Sequence, residues 1–238
     1  MTIKDDILKD LEILAERLGP LIADMVFVGG STICLHVGQA RQNELRPTID
    51  RDAIIDVKDY SEFHAFEMKV QKLGFERDTK DRVNCRWRAD NIVVDLMPGN
   101  EISGYVNNKW YQAAMDRAES LQLSTGKTVR IISPIYLIAT KLEAFNSRGS
   151  LKLPDMFDGE ANKDLEDIVH LIEGRDVLLR ELKQAQKSVQ IYIESQFKKI
   201  LTNPLSDDFI NNCFGGVLGS KRAQYVKDQI TKIVSKSY

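Results

Sequence analysis

An apolar run at residues 25–28 (MVFV) that stops at two glycines is the feature that most constrains the fold. After Gly29 and Gly30, Ser31 suits the N-cap of a helix that extends to Val37. This order predicts a strand, a glycine turn and a helix. Glycines let a phosphate approach the backbone closely, and the N–H groups that begin a helix favour an anion. The turn is therefore a candidate phosphate site, although plain turn formation explains most Gly-Gly-Ser sequences taken alone.

Helix and strand patterns alternate in the first part of the chain, which predicts a mixed α/β fold (α+β). Helical spacing of apolar residues occurs at 3–18 and from Ser61 to Leu73, and Asp52–Val57 reads as a strand. Two further strands, Val83–Arg88 and Ile92–Met97, lie three residues apart, which is typical of an antiparallel hairpin. We expect these three strands to share one mixed β-sheet flanked by helices.

Helical periodicity dominates the rest of the chain. After Pro98 the sequence predicts a helix near Tyr111–Ala118 and a short strand at Val129–Ile132, and then helices on either side of a loop at 149–160. We therefore divide the chain into a core at 1–132 and a mainly helical domain at 133–238.

The composition of the 238 residues is that of an ordinary globular protein, with 43% apolar and 29% charged residues. No apolar run approaches a membrane span, and the first residues lack the apolar core of a secretory signal, so we expect a cytoplasmic protein without membrane contact. Three distant cysteines indicate neither a disulfide framework nor a thiolate metal site. A net charge of −2 argues against a uniformly basic nucleic-acid binder.

Asp50 and Asp52 begin the strand after the glycine turn. Residues two apart in an extended chain place their side chains on one face, at a backbone spacing of about 7 Å. Two ionised carboxylates this close repel each other and need a compensating cation, and oxygen ligands favour Mg²⁺ or Mn²⁺. If the second hairpin strand lies alongside, Asp95 adds a third carboxylate. Solvated charges at a strand end explain most isolated D-x-D sequences.

Together these features resemble the polymerase-beta-like nucleotidyltransferase superfamily. Within it the chain is most similar to the AbiEii/AbiGii-type toxin-like nucleotidyltransferases of bacteria. The likeness extends from residue 25 to residue 175, and the stretches that carry it are Arg46–Val57, Cys85–Arg88, Val93–Pro98, Ala139–Phe145 and Lys163–Ile168. It implies a nucleotidyltransferase-type sheet followed by a helical region that completes the nucleotide site.

The resemblance also implies roles for individual residues. Asp50, Asp52 and Asp95 would bind metal, and Lys141 and Asp164 would complete the catalytic set from the helical part. The residues implied in nucleotide binding are Gly29, Gly30, Ser31, Thr48, Arg86, Arg88, Lys141, Arg148 and Asp167. Structural interpretations stay open, because Lys141 and the aspartates near it can form salt bridges, and the two strand arginines can pair with charges across the sheet.

Two departures from the family pattern concern the Asp50 region. The middle residue of D-x-D is usually apolar, whereas here it is Arg51, which would turn a guanidinium towards the helix-covered side of the sheet, lie at an exposed strand end, or pair with Asp24 or Glu44. The spacing from Gly30 to Asp50 is also long, which implies an inserted loop around Gln39–Leu45, within a stretch from Gly38 to Pro47 that reads as a polar loop.

The function that the resemblance implies is transfer of a nucleoside monophosphate from a nucleoside triphosphate to an acceptor hydroxyl. The acceptor would be RNA, such as a tRNA end, a protein or a small molecule, and a toxin would have a cognate antitoxin. Two alternatives stay open. One is a nucleotide-binding or partner-binding module without turnover, and the other is kinase-like transfer of the terminal phosphoryl group from the same pocket.

Overall fold

A computed structural model describes residues 2–42, 44–79, 84–105, 107–148, 160–214 and 216–236. The chain divides into two compact units. Unit 1 comprises residues 1–35 and 42–133, and unit 2 comprises residues 36–41 and 134–238.

Unit 1 is built on a seven-stranded mixed sheet flanked by helices. The strands are β1 (Met25–Val28), β2 (Asp50–Ile55), β3 (Glu76–Arg77), β4 (Arg86–Ala89), β5 (Ile92–Pro98), β6 (Glu119–Gln122) and β7 (Thr128–Ile131). The helices before residue 133 are α1 (Ile3–Leu18), α2 (Ile33–His36), α3 (Gln39–Gln42), α4 (Tyr60–Lys72) and α5 (Tyr111–Asp116), with 3-10 turns at Gly19–Asp24 and Gly30–Thr32.

The strand order is β3-β4-β5-β2-β1-β7-β6. β2 runs antiparallel to β1 and parallel to β5, while β4 and β5 form the antiparallel hairpin. All residues of β1 and β5 are buried, as expected for inner strands that are covered on both faces. The predicted fold class is therefore confirmed, as is the sharing of one sheet by β2, β4 and β5.

Several boundaries differ from the predictions. β2 begins at Asp50 rather than Asp52, so both carboxylates belong to the strand itself. The polar stretch at 38–47, expected as a loop, contains the short helix α3; Asn43 lies outside the described residues. Of the predicted first hairpin strand, Val83 lies outside the described residues and β4 begins at Arg86. Residues 149–159 of the predicted loop also lie outside them.

Unit 2 is helical in its described part. Its helices are α6 (Pro134–Ser147), α7 (Glu160–Gly174), α8 (Leu178–Gln184), α9 (Lys187–Thr202), α10 (Ser206–Asn212) and α11 (Gly216–Ser235). α6 begins at Pro134, which has no N–H to leave unpaired in the first turn, and buries Ile135, Ile138 and Leu142. No helix in the described residues combines the length and the hydropathy needed to cross a bilayer.

Candidate active site

Three acidic residues lie on one face of the unit 1 sheet. In the parallel pair of β2 and β5, Asp52 lies directly beside Asp95, and Asp50 lies beside Val93. Asp50 and Asp52 are two residues apart and so point to the same face, while the buried Arg51 between them points to the other. The strand register thus places the three residues predicted as metal ligands on one face of two adjacent strands.

Gly29 makes room for the second of these carboxylates. Pairing of β1 with β2 sets Val28 opposite Asp52, so the aspartate reaches the residue that follows β1. A Cβ atom at Gly29 would lie only 2.0 Å from Asp52 Oδ2, and the backbone there has φ +76°. Glycine is therefore required twice, once by the left-handed backbone and once by the contact with the carboxylate.

Arg86 lies among the carboxylates and bonds to two of them. It occupies the position opposite Asp95 in the β4–β5 pair, so both side chains leave the same face of the sheet. Its Nε donates to Asp95 Oδ1 at 2.8 Å and its Nη2 donates to Asp95 Oδ2 at 2.8 Å. The same Nη2 donates to Asp50 Oδ2 at 2.6 Å. The guanidinium therefore holds Asp95 in a bidentate pair and connects it to Asp50.

Among the described residues, no three acidic, histidine or cysteine side chains converge in the arrangement of a ready-made metal site. One oxygen of Asp50 and both oxygens of Asp95 are directed at the guanidinium of Arg86. The donor set nevertheless suits Mg²⁺ or Mn²⁺, since all its ligands are carboxylate oxygens and a cationic group already balances part of their charge.

The turn after β1 differs from the expected helix start. Gly30–Thr32 forms one 3-10 turn, and α2 then has only four residues. Ser31 is buried inside the turn rather than acting as an N-cap. The N–H groups that begin such a turn have no intrahelical partner, so Gly30 and Ser31 still offer backbone donors, whereas the dipole of so short a helix adds little.

Arg51 points away from the carboxylate face, as one of the predictions for it had stated. Its side chain is 5% exposed and its Nη2 donates to Asp10 Oδ2 of α1 at 2.7 Å. Its Nη1 donates to the carbonyl and the hydroxyl of Thr48 at 3.1 and 3.2 Å. Thr48, predicted to bind nucleotide, thus bonds to Arg51. Asp10 was not predicted as the partner of Arg51. The signal available in the sequence was an acidic residue directly before Leu11, which is buried.

Arg88 shares a strand with Arg86 but not its partners. The two arginines are two residues apart in β4, so they leave the same face. Arg88 pairs with Asp78, and its side chain is 49% exposed. The structure therefore brings only the first of the two predicted arginines to the carboxylate cluster.

The remaining predicted site residues form a second charged cluster, within unit 2. Lys141 on α6 lies 3.1 Å from Asp164 Oδ1 and 2.6 Å from Asp167 Oδ2, both on α7. Arg148, one residue beyond the end of α6, pairs with the other oxygen of Asp164. All four residues thus belong to one ion-pair network between two packed helices.

Lys141 remains charged in this network. Burial alone would lower its pKa, but the charges of Asp167 and Asp164 outweigh burial and raise the pKa above the ordinary value of 10.5. With its side chain 13% exposed, the ammonium group is held by the two aspartates rather than by bulk water.

The cysteines carry no activated thiol. Cys34, Cys85 and Cys213 are free. Burial, followed by the charges of Asp95 and Asp52, raises the pKa of Cys85 to about 12. The thiol beside the carboxylate cluster is therefore protonated at neutral pH and does not act as a thiolate.

No protein-family model matches the chain, and no curated protein matches it significantly.

Proposed function

We propose that the chain is a nucleotidyltransferase that moves a nucleoside monophosphate from a nucleoside triphosphate to an acceptor hydroxyl. One observation carries the proposal. Asp50, Asp52 and Asp95 lie side by side on two adjacent strands, and the glycine turn packs directly against Asp52. Carboxylates next to a turn with backbone donors are what a metal-bound triphosphate requires.

Asp50, Asp52 and Asp95 would hold Mg²⁺ or Mn²⁺. When bound, such an ion neutralises triphosphate charge and eases ionisation of the attacking hydroxyl. The backbone N–H groups of Gly30 and Ser31 orient the phosphates, and Arg86 adds a positive charge next to them. Positioning and charge neutralisation dominate phosphoryl chemistry, so these residues need not form a covalent intermediate.

The reaction forms a bond between the acceptor oxygen and the α-phosphorus and breaks the bond to the bridging oxygen, which leaves with pyrophosphate. The hydroxyl proton passes to a carboxylate. Asp95 is one candidate for this base. Its side chain is 8% exposed with both oxygens bonded to Arg86, whereas that of Asp50 is 36% exposed. We therefore assign the proton to Asp50.

The direct test supplies each α-labelled nucleoside triphosphate with Mg²⁺ to the purified chain, in the presence of total bacterial RNA, tRNA or protein. We expect label to appear on an acceptor. No labelled product from any triphosphate, with every acceptor and with the chain itself, would falsify the proposal. Label transferred only from γ-labelled triphosphate would indicate the kinase-like alternative, and nucleotide binding without transfer would indicate a binding module.

A carboxylate variant ties the activity to this site. We expect Asp50→Asn combined with Asp52→Asn to reduce transfer by at least about a hundredfold, because both groups are needed where charge develops. The fold should persist, since Arg86 keeps its bidentate pair with Asp95. Asp56→Asn, an exposed position just after β2, is the matched control and should retain activity. Equal activity in the double variant would place the chemistry elsewhere.

The acceptor and the biological role are proposed from the resemblance. RNA, in particular a tRNA end, is the acceptor to test first. A toxin-like role predicts that induced expression arrests bacterial growth and that the Asp50→Asn, Asp52→Asn variant does not. Rescue by the product of a neighbouring gene would identify the cognate antitoxin. Unimpaired growth at high expression of active protein would argue against that role.

The nucleotide role of the unit 2 cluster is likewise proposed from the resemblance. The contacts of Lys141 and Asp164 are those of a structural network, so loss of activity in a variant is informative only while the variant is folded. Lys141→Arg keeps the charge and the pairing. The transfer rate of this variant should be compared with that of the wild type at a temperature where both are folded. Wild-type activity in folded Lys141→Met would remove this residue from the proposed site.

A further inference from the structure

Arg86 takes the place among the carboxylates that a metal ion would need. Its guanidinium donates to both oxygens of Asp95 and to one oxygen of Asp50, with its side chain only 15% exposed. A cation that coordinates Asp95 must approach those same oxygens. Both oxygens are engaged, so the arginine and the ion compete for one carboxylate.

The charges of the cluster explain why the arginine is held there. Three carboxylates carry three negative charges on one small area of sheet, and repulsion between them is strong where water is scarce. A bidentate guanidinium pair is the most favourable arrangement that a side chain offers to a carboxylate. Arg86 therefore relieves part of the repulsion when no other cation is bound.

We propose that Arg86 is the built-in counter-ion of the metal-free site and sets its metal affinity by being displaced when a divalent ion binds. This inference rests on the proposed metal site of the nucleotidyltransferase. The arginine is anchored by β4 one strand away from Asp95, so after displacement its guanidinium stays near the cluster. A triphosphate bound at the same place supplies phosphate oxygens as its new partners.

This exchange couples the metal to the triphosphate. A triphosphate that accepts the released guanidinium lowers the cost of displacing it, so it strengthens metal binding, and the metal strengthens triphosphate binding by the same factor. Removal of Arg86 should weaken this coupling. A salt bridge that merely stabilises the sheet would not link the two ligands in this way.

The test measures Mn²⁺ binding to the full chain by titration calorimetry and by the electron spin resonance signal of free Mn²⁺. We expect Arg86→Met to bind Mn²⁺ about tenfold more tightly than the wild type, since the competitor is gone and the carboxylate charge is unbalanced. Arg88→Met removes the same charge from the same strand face but leaves the cluster intact, so its Mn²⁺ affinity should stay within about twofold of the wild type.

Addition of a non-hydrolysable triphosphate analogue supplies the second readout. It should tighten Mn²⁺ binding several-fold in the wild type and clearly less in Arg86→Met. Circular dichroism with and without Mn²⁺ checks folding, and Arg86→Lys, which keeps a charge but not the bidentate pair, should have intermediate Mn²⁺ affinity and serves if Arg86→Met does not fold. Unchanged or weaker Mn²⁺ binding in the folded variants would overturn the inference.

The two proposals fail in different ways. If no nucleotidyl transfer is found but Arg86→Met still binds Mn²⁺ more tightly, the proposed function fails and the role of Arg86 stands. If transfer occurs and depends on Asp50 and Asp52 but Mn²⁺ affinity is unaffected by Arg86→Met, the function stands and the counter-ion role is wrong.

Discussion

The residue that tolerates least change near the site is Gly29. Its φ of +76° with ψ −169° is a conformation that essentially only glycine adopts, and it costs a side-chain-bearing residue about 1–3 kcal/mol by itself. The Cβ position also overlaps Asp52 Oδ2 at 2.0 Å and Asp52 Cγ at 2.8 Å. Relief of that overlap requires movement of the carboxylate or of the turn, both of which belong to the proposed site.

We therefore predict that Gly29→Ala abolishes transfer and lowers the free energy of unfolding by more than backbone strain alone. Gly126→Ala is the matched control, because Gly126 has φ +81° with nothing within 4 Å of its Cβ position. It should cost about 1 kcal/mol and leave activity intact. Urea denaturation and the α-label assay measure both effects. Equal stability and full activity of the two variants would show that the contact with Asp52 is unimportant.

Arg51 shows how far single residues could be predicted. Alternation along the strand correctly sends the middle residue of D-x-D to the face opposite the carboxylates. The partner could not be read from the sequence, because Asp10 is 41 positions away and the tertiary fold decides the pair. Arg51 therefore adds no positive charge to the face that carries Asp50 and Asp52.

At the scale of elements, the buried strands were predictable and the edge strands were not. β1 and β5 are short apolar runs bounded by turns, and burial imposes that composition. β6 has no such signal, since three of its four residues are exposed and only its pairing with β7 makes it a strand. β3, of two exposed residues at the sheet edge, was missed for the same reason.

The candidate site was likewise predictable only in part. Periodicity indicates that Asp50 and Asp52 share a face, and strand pairing then brings Asp95 beside them. It equally indicates that Arg86 and Arg88 share a face, but not that one contacts the carboxylates and the other Asp78. That choice depends on where strands end and turns begin, which local sequence specifies poorly.

The pairing of α6 with α7 depends on a charged network as well as on apolar packing. We predict that Lys141→Met lowers the free energy of unfolding by about 3–5 kcal/mol, because Asp164 and Asp167 remain buried without the ammonium group. Lys187→Met, at an exposed position of α9, should change it by less than about 0.5 kcal/mol. Chemical denaturation of both variants measures the difference.

The pH dependence of that effect has a definite sign. The pKa of Lys141 is raised in the folded chain, so its contribution is fully present below the unfolded value of 10.5 and is lost as pH rises through the folded value. The stability difference between wild type and Lys141→Met should therefore be constant from neutral pH to about pH 9 and shrink only above pH 10.5. A difference that shrinks markedly between pH 7 and 9 would contradict the assignment.

At the scale of the whole molecule, the two units are not simple successive halves of the chain. Residues 36–41 belong to unit 2, although the residues on both sides of them belong to unit 1. Within unit 2, Gly38 N donates to Gly174 O at 3.0 Å, and Arg41 pairs with the buried Glu173 at 2.7 Å. Residues 36–41 are thus held at the end of α7 by a backbone hydrogen bond and by an ion pair. This segment begins at the last residue of α2, only four residues beyond Thr32, where the glycine turn ends.

Two glycines that face each other across this contact allow a paired prediction. A Cβ atom at Gly174 would lie 2.8 Å from Val37 Cβ and Cγ1, whereas one at Gly38 would meet only Gly174 O, at 3.8 Å. Gly174→Ala should therefore lower the free energy of unfolding by about 1–3 kcal/mol through overpacking. Gly38→Ala should be neutral or slightly stabilising, since neither crowding nor positive φ opposes it.

Denaturation of the two variants tests whether the space around each Cβ position determines the loss of stability. Both glycines lie at the same contact and both changes add one methyl group, so only the space around each Cβ differs. If the two variants are equally stable, residues 36–41 are held less tightly to α7 than the contacts indicate.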